Sequence, residues 1–278
     1  MDLVIDRLTS ADLEAALRLS TQAGWNQIAT DWRRLLGFSP QGCLAGRLEG
    51  RLVATATVVS YGRDAHWIGM VLVDEAFRGR GFGGAILAKA IDHGLAQGSD
   101  AVGLDATDLG RPVYLKQGLV EVAPIDRWGG ILREGGPARG VDLFDRSTFD
   151  EVAALDRAAA GVDRSDLLLR LLHEEEVFGW IVRDGGKIGG FAFVRPGRDH
   201  AHIGPVVAQD GALCARLLER IAAHLRGRSV LIDLLRNEEV ARTAGLLARR
   251  RLTRMTARRP QDLLRGPWIT AATAFEWG

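Results

Sequence analysis

The feature that most restricts the fold is a repeat: the succession of apolar runs and turn signals in the first half of the chain returns in the second. In the first half an apolar run at 3–5 precedes Ser10-Ala11-Asp12-Leu13-Glu14, which reads as a helix cap opening an amphipathic stretch to about Ser20. A short helix fits 30–36. Strand-like runs follow at 43–48, 52–60 and 66–73, separated by Glu49-Gly50 and Tyr61-Gly62-Arg63-Asp64, which predicts an antiparallel meander. Residues 83–97 carry Ile86, Leu87, Ala90, Ile91 and Leu95 at helical spacing; 101–107 reads as a buried strand, 112–117 as a short helix and 119–123 as a last strand. In the second half the same order predicts helices in 147–160 and 165–172, strands at 178–183, 188–194 and 200–208, a helix at 212–225, a strand at 229–234, and a further helix and strand.

A short string supports the duplication directly. Gly62-Arg63-Asp64, followed after three residues by Ile68-Gly69, recurs as Gly197-Arg198-Asp199, followed after three by Ile203-Gly204. The registers then diverge: nineteen positions separate Ile68 from Leu87, but only fourteen separate Ile203 from the matching Leu217. The missing five fall where Arg78-Gly79-Arg80-Gly81-Phe82 stands in the first half. The segment EGGPARG, 134–140, is rich in Gly and Pro and lacks apolar periodicity, so it reads as a linker. The expectation is an α/β chain of the α+β kind in two tandem domains, 1–134 and 143–278, joined by a linker at 135–142, each a mixed, mostly antiparallel sheet flanked by helices.

Gly79, Gly81, Gly83 and Gly84 stand between a strand and a helix, where backbone N–H groups converge on an anion without a Cβ in the way and the helix dipole adds its positive end. A solvent-exposed sharp turn explains the glycines equally well when they are taken alone. Gly79, Gly81 and Gly84 also satisfy the Rossmann spacing, but Asp74–Arg78 intervene after the strand and several strands come earlier, which argues against that fold.

Arg78-Gly79-Arg80-Gly81-Phe82-Gly83, with the apolar strand before it and the helix after it, resembles the Arg/Gln-x-x-Gly-x-Gly/Ala pyrophosphate motif of the GCN5-related N-acetyltransferase (GNAT) superfamily. Tyr114-Leu115-Lys116-Gln117-Gly118-Leu119 resembles the family's Tyr-x-x-x-Gly-Phe element. The chain as a whole, with GWNQIATDW at 24–32, LDAT at 104–107, the second copy and the terminal AFEWG, is similar to a tandem-domain, YitH-like subgroup. The resemblance implies acetyl-CoA lying in a splay between the strands ending at Val73 and Thr107. Val71, Leu72 and Val73 would border pantetheine and the amides of Arg80 to Gly84 the pyrophosphate, with Arg78, Gly79, Thr107 and Tyr114 completing the cofactor site and no metal required. The second copy has lost its phosphate loop, so it would be a degenerate GNAT-like domain.

Transfer to an amine needs a free amine lone pair, a polarised thioester and a proton for the departing thiolate. Tyr114 matches the family's proton donor, and a phenol of unperturbed pKa about 10 arrives protonated. Packing between helix and sheet is the plain alternative for it. The base is open: the position where several family members carry an acid or a histidine is Trp67 here, with His66 beside it on the other face of the strand; Asp105 ends the strand beside the splay, and an amine that deprotonates in water needs no base. The counterpart of Asp105, Asp233, recurs in the copy without a loop, which favours a structural use. Trp25 and Asn26 lie where the family shapes its acceptor pocket, with Trp67 on the strand behind; a core role for each tryptophan is the alternative.

A net charge of +1 gives no global field for nucleic acid or an anionic membrane. The basic run Arg249-Arg250-Arg251, with Arg254, Arg258 and Arg259, lacks interleaved aromatics and reads as a solvated face or as inter-domain pairing. Cys43 and Cys214, the two cysteines, read as buried hydrophobes rather than as a disulfide or metal pair. The start MDLVIDRLTS lacks the features of a secretory signal and no charge-free run is long enough to span a bilayer, so the expected place is the cytoplasm. The expected activity is transfer of acetyl from acetyl-CoA to a primary amine of a small molecule. A non-catalytic acyl-CoA sensor and a protein or peptide acetyltransferase are the rivals.

Overall fold

In the computed structural model, which describes residues 2–98, 101–134, 138–258 and 263–278, the chain divides into two units that are not its two halves. One gathers Met1–Ala123, Thr253–Asp262 and Glu276–Gly278; the other gathers Pro124–Leu252 and Leu263–Phe275. A division at 135–142 differs from this in the late segments that belong to the first unit, and residues 135–137 of the expected linker lie outside the described residues.

The first unit opens with β1 (Val4–Arg7), α1 (Leu13–Gln22) and α2 (Ala29–Phe38). The cap stands one residue earlier than expected, on Thr9: the Asp12 carboxylate accepts from the Thr9 amide at 2.9 Å, and the single turn at 10–12 runs on into α1. β2 (Cys43–Leu48), β3 (Arg51–Tyr61) and β4 (Ala65–Val73) then form the antiparallel meander, with β1 along the outer side of β2. α3 (Phe82–Ala96) crosses to β5 (Val102–Ala106), which runs parallel to β4, and the short α4 (Arg111–Lys116) follows. Ile86, Leu87, Ala90 and Ile91 bury the apolar stripe of α3 in one cluster with Leu44, Ala56, Ile68 and Leu104.

β6 (Val120–Ile131) is longer than the run expected at 119–123, because from Pro124 onward it belongs to the second unit. There follow β7 (Val141–Leu143), α5 (Phe149–Ala160), α6 (Ser165–His173), β8 (Phe178–Asp184), β9 (Lys187–Arg195) and β10 (Ala201–Ala208). α7 (Gly211–Leu225), β11 (Ser229–Leu234), α8 (Glu238–Thr243), β12 (Leu247–Ala257) and β13 (Ile269–Ala271) complete the chain. In the second unit β6 pairs antiparallel with β11, from Ser229 opposite Ile131 to Leu234 opposite Asp126. In the first unit the last residues of β12 pair antiparallel with β5, from Thr253 opposite Ala106 to Ala257 opposite Val102.

Each sheet is therefore finished by a strand from the other half of the sequence, and each junction carries a buried ion pair in register. Arg254 stands opposite Asp105 and reaches both its oxygens at 3.0 and 3.1 Å, with neither side chain exposed. Arg127 stands opposite Asp233 and reaches both of its oxygens at 2.6 and 2.7 Å. Such bidentate pairs fix register sharply, while removal of one partner leaves a buried charge. The basic run is spent in this way too: Arg251 pairs with Asp126 at 2.7 Å, Arg249 donates to the Gly129 carbonyl, and Arg250 lies over the Phe275 ring. Arg259 lies outside the described residues. Cys43 and Cys214 are both buried and free, their thiols pushed up to about 12 by burial.

Arg254→Ala is expected to cost about 3–5 kcal/mol, whereas the double change Asp105→Leu with Arg254→Met should recover most of that loss. Urea unfolding of the three proteins checks this, and a loss under about 1 kcal/mol in the single variant contradicts it. For the same reason a fragment ending at residue 133, which lacks both Arg254 and the strand that carries it, is expected to fail to fold; a cooperative melt of that fragment would show otherwise.

Candidate active site

Among the described residues β4 and β5 pair at His66 opposite Val102 and Trp67 opposite Gly103; beyond these positions the parallel strands part. The parting coincides with a bulge in β4. Its register against β3 shifts between Thr55 and Thr57, Met70 takes a φ of 50°, and the Thr55 hydroxyl donates to the Met70 carbonyl at 2.8 Å. A wedge opens between the ends of β4 and β5, bordered by Val71 and Val73, which pack partly buried against the α3 cluster.

The chain leaves β4 through a fixed corner. Asp74, 2% exposed, caps a single helical turn by accepting from the Ala76 amide at 3.1 Å, and it also accepts from Arg51 at 3.0 Å. Arg78 Nε reaches back to the Val73 carbonyl at 3.2 Å. Gly79 and Gly81 then adopt φ of 77° and 84°, the left-handed region that only glycine enters freely, and Gly81 caps α3. No side chain caps that end of the helix, so the first-turn amides of Phe82, Gly83 and Gly84 face outward. A Cβ at Gly83 would meet Val73 at 3.5 Å, and one at Gly84 would meet Gln117 at 3.5 Å, both ordinary contacts. Arg78 and Arg80 are exposed at the same corner, and Arg80 lies over the Phe77 ring. Uncapped amides, a helix dipole and two guanidinium groups fit a diphosphate, and the wedge beside them fits an extended arm that pairs with strand backbone.

Past β5, the Thr107 hydroxyl accepts from the Gly110 amide at 3.1 Å and its carbonyl accepts from the Arg111 amide, which starts α4. Tyr114 is 8% exposed and packs in the α3 cluster with Ile86, Leu87, Leu104 and Ala106. Gly110 makes room for it: a Cβ there would come within 2.8 Å of the phenolic oxygen. Burial pushes the Tyr114 phenol up to about 12.

The remaining sequence candidates fall in three places. Asp105 has both oxygens on Arg254, and Trp67, fully buried, lies under the same guanidinium at 4.4 Å. His66 is buried, near Gly94 on the α3 side of the sheet, with Nδ1 2.7 Å from the Ser60 hydroxyl; burial first, and then His93, lower its pKa. Trp25 and Asn26 are half-buried between α1 and α2. Loop, wedge and Tyr114 thus come together, whereas His66 and Asp105 sit in other company. A residue beside the wedge without a signal in local pattern is Glu276, 2% exposed in the first unit, whose carboxylate accepts from Gln27 Nε2 at 3.0 Å.

Two family models match the chain, an acetyltransferase (GNAT) family model over residues 6–119 and an acetyltransferase (GNAT) domain model over 152–263. The chain belongs to the GNAT superfamily, as a tandem of two such domains. It is 27% identical over 211 residues to the holothin acyltransferase of Pseudoalteromonas sp. (strain SANK 73390), a match covering 75% of this chain and 71% of that protein. It is 28% identical over 238 residues to the uncharacterized N-acetyltransferase YitH of Bacillus subtilis (strain 168), covering 82% and 81%. The fold is shared with a candidate acetyltransferase from Pyrococcus horikoshii at a TM-score of 0.86 and 21% identity, covering 99% of this chain and 96% of that one.

Because burial raises the Tyr114 phenol above its unfolded value, its proton should stay on as pH passes about 10, the range in which an unfolded tyrosine ionises. The ultraviolet phenolate signal of the wild type minus that of Tyr114→Phe should remain flat to about pH 11, and folded-state stability should decline above pH 10. A Tyr114 step near pH 10 in the folded protein contradicts the burial argument.

Proposed function

We propose that the first unit transfers an acetyl group from acetyl-CoA to a primary amine of a small molecule, by direct attack while both are bound. The observation that carries this reading is the glycine corner at the head of α3 standing beside an open wedge with Tyr114 next to it. Backbone groups of Val71 to Val73 would pair with the pantetheine arm, and the amides of Arg80 to Gly84, helped by Arg78, would hold the pyrophosphate. The acetyl thioester supplies the electrophile when it is bound. Tyr114, kept protonated by burial, would give its proton to the departing thiolate. Asp105 is spent on Arg254, so its role in this reading is to fix the sheet rather than to take a proton.

The acceptor side favours a small molecule over a protein segment. Half-buried Trp25 and Asn26 and the buried residues Glu276 to Gly278 cover that part of the first unit, which is unlike an open peptide groove. One relative is named as an acyltransferase, so donors longer than acetyl belong in the test.

The second unit has a wedge of its own, and the chain fills it. β10 and β11 pair in parallel from Ala201 opposite Val230 to Ile203 opposite Ile232, and then β13 enters between them. Ala271 stands opposite both Val206 of β10 and Leu234 of β11. Together with the five-residue deficit where the glycine loop would be, this supports one donor site per chain.

Calorimetric titration should give one acetyl-CoA per chain, and two equivalent sites would overturn the assignment of the second unit. Gly83→Val, whose Cβ would make only an ordinary contact with Val73, should abolish that binding. A thiol-release assay with acetyl-CoA, longer acyl-CoA donors and a broad amine panel tests the reaction. Tyr114→Phe should lower kcat with little change in acetyl-CoA affinity. Tight acetyl-CoA binding without turnover of any amine would favour a sensor.

A further inference from the structure

Glu276 is a carboxylate, 2% exposed, that no step above uses. Its backbone lies on β4, since a Cβ at Gly69 would come within 2.6 Å of the Glu276 Cα and 2.7 Å of its Cβ. Gly69 stands two residues past the last parallel pairing of β4 with β5, where the wedge begins. Its neighbour Ile68 reaches into the cluster under α3, so by strand alternation Gly69 and the Glu276 above it are on the opposite face. The backbone of Glu276 thus crosses the first unit's sheet at the start of the wedge, on the face opposite α3.

Fixed anchors hold the carboxylate there. Oε2 accepts from Gln27 Nε2 at 3.0 Å, and Gln27 directly follows Trp25 and Asn26. The next residue, Trp277, accepts through its carbonyl from the Tyr61 hydroxyl at 2.7 Å and sets its ring edge-on to Phe38 at 5.3 Å. A carboxylate held rigidly beside a site that receives an amine is a group of the kind that binds a cationic amine and takes a proton from it.

We propose that Glu276 receives the acceptor amine and takes its first proton, with Gln27 as the positioning residue; this rests on the reading of the first unit as an amine acetyltransferase. The amine enters as an ammonium ion, pairs with the carboxylate and loses one proton to it, and that proton passes to solvent. The freed lone pair forms the C–N bond and the C–S bond breaks. The sulfur takes the phenolic proton of Tyr114, and the second proton of the nitrogen restores the phenol through solvent. The carboxylate approaches from the face opposite α3, so amine and phosphate chemistry stay apart.

Glu276→Gln keeps volume and a hydrogen-bonding group. It should lower kcat/KM for the amine by about 100-fold or more, leave the affinity for acetyl-CoA unchanged, and show a deficit that shrinks as rising pH frees the amine in solution. Gln27→Ala should raise KM for the amine with a smaller effect on kcat. A crystal structure of the acetyl-CoA complex should place the carboxylate within about 7 Å of the thioester carbon, room for one nitrogen about 3 Å from each. Unchanged amine kinetics in Glu276→Gln, or a parallel loss of acetyl-CoA binding, overturns the assignment. If the wild type turns over no amine, the reading of the reaction falls, and the complex alone decides this one: a carboxylate facing the thioester keeps it as the amine-binding group, and one more than about 10 Å away removes it.

Discussion

Both oxygens of the Asp105 carboxylate rest on a guanidinium that the chain supplies 149 residues later, and the first unit depends on that pair. A carboxylate with no exposure at the edge of the wedge has to be matched, and Arg254 matches it only when β12 lies antiparallel to β5 in the observed register. The strand that carries Arg254 thereby closes the sheet, and the guanidinium covers Trp67 as well. The second unit repeats the solution with Asp233 and Arg127, 106 residues apart in the opposite direction along the chain. Neither unit is complete until most of the sequence is present, which binds the two copies of the duplication into one folding problem.

The repeated glycines have the same kind of cause. Gly69 lies under the backbone of Glu276, and a Cβ at Gly204 would stand 2.3 Å from the Ala272 carbonyl. In both units the late part of the chain crosses the strand so closely that no side chain fits beneath it. The recurrence of Ile-Gly in the two halves therefore marks where the late part of the chain packs. In the first unit this crossing brings a carboxylate to the wedge.

Parting parallel strands leave backbone N–H and C=O groups that need partners. In the second unit β13 supplies them, from Ile269 to Ala271, while the first unit leaves the gap beside the glycine corner. One geometry thus serves two ends: a strand of the protein fills the gap in one copy, and in the other the gap is proposed to take the pantetheine arm.

Periodicity and turn chemistry made most of the elements legible in the sequence, because they are local. The strand at 43–48 and the helix at 83–97 agree with β2 and α3 to within a residue at each end, and the glycines read as a loop or sharp turn between strand and helix do form the corner, with Gly79 and Gly81 left-handed. The recurrence of Asp105 as Asp233 already argued for a structural carboxylate, and both now stand in buried pairs with arginines. The exchange of β6 and β12, the entry of β13 and the placing of Glu276 on Gly69 left no comparable local trace. An exchanged strand has the same alternation as one that stays at home, β13 is three residues long, and the terminal AFEWG carries no periodicity that says where it packs. Those choices were made by the tertiary structure, through buried charges that had to be paired and strand edges that had to be filled.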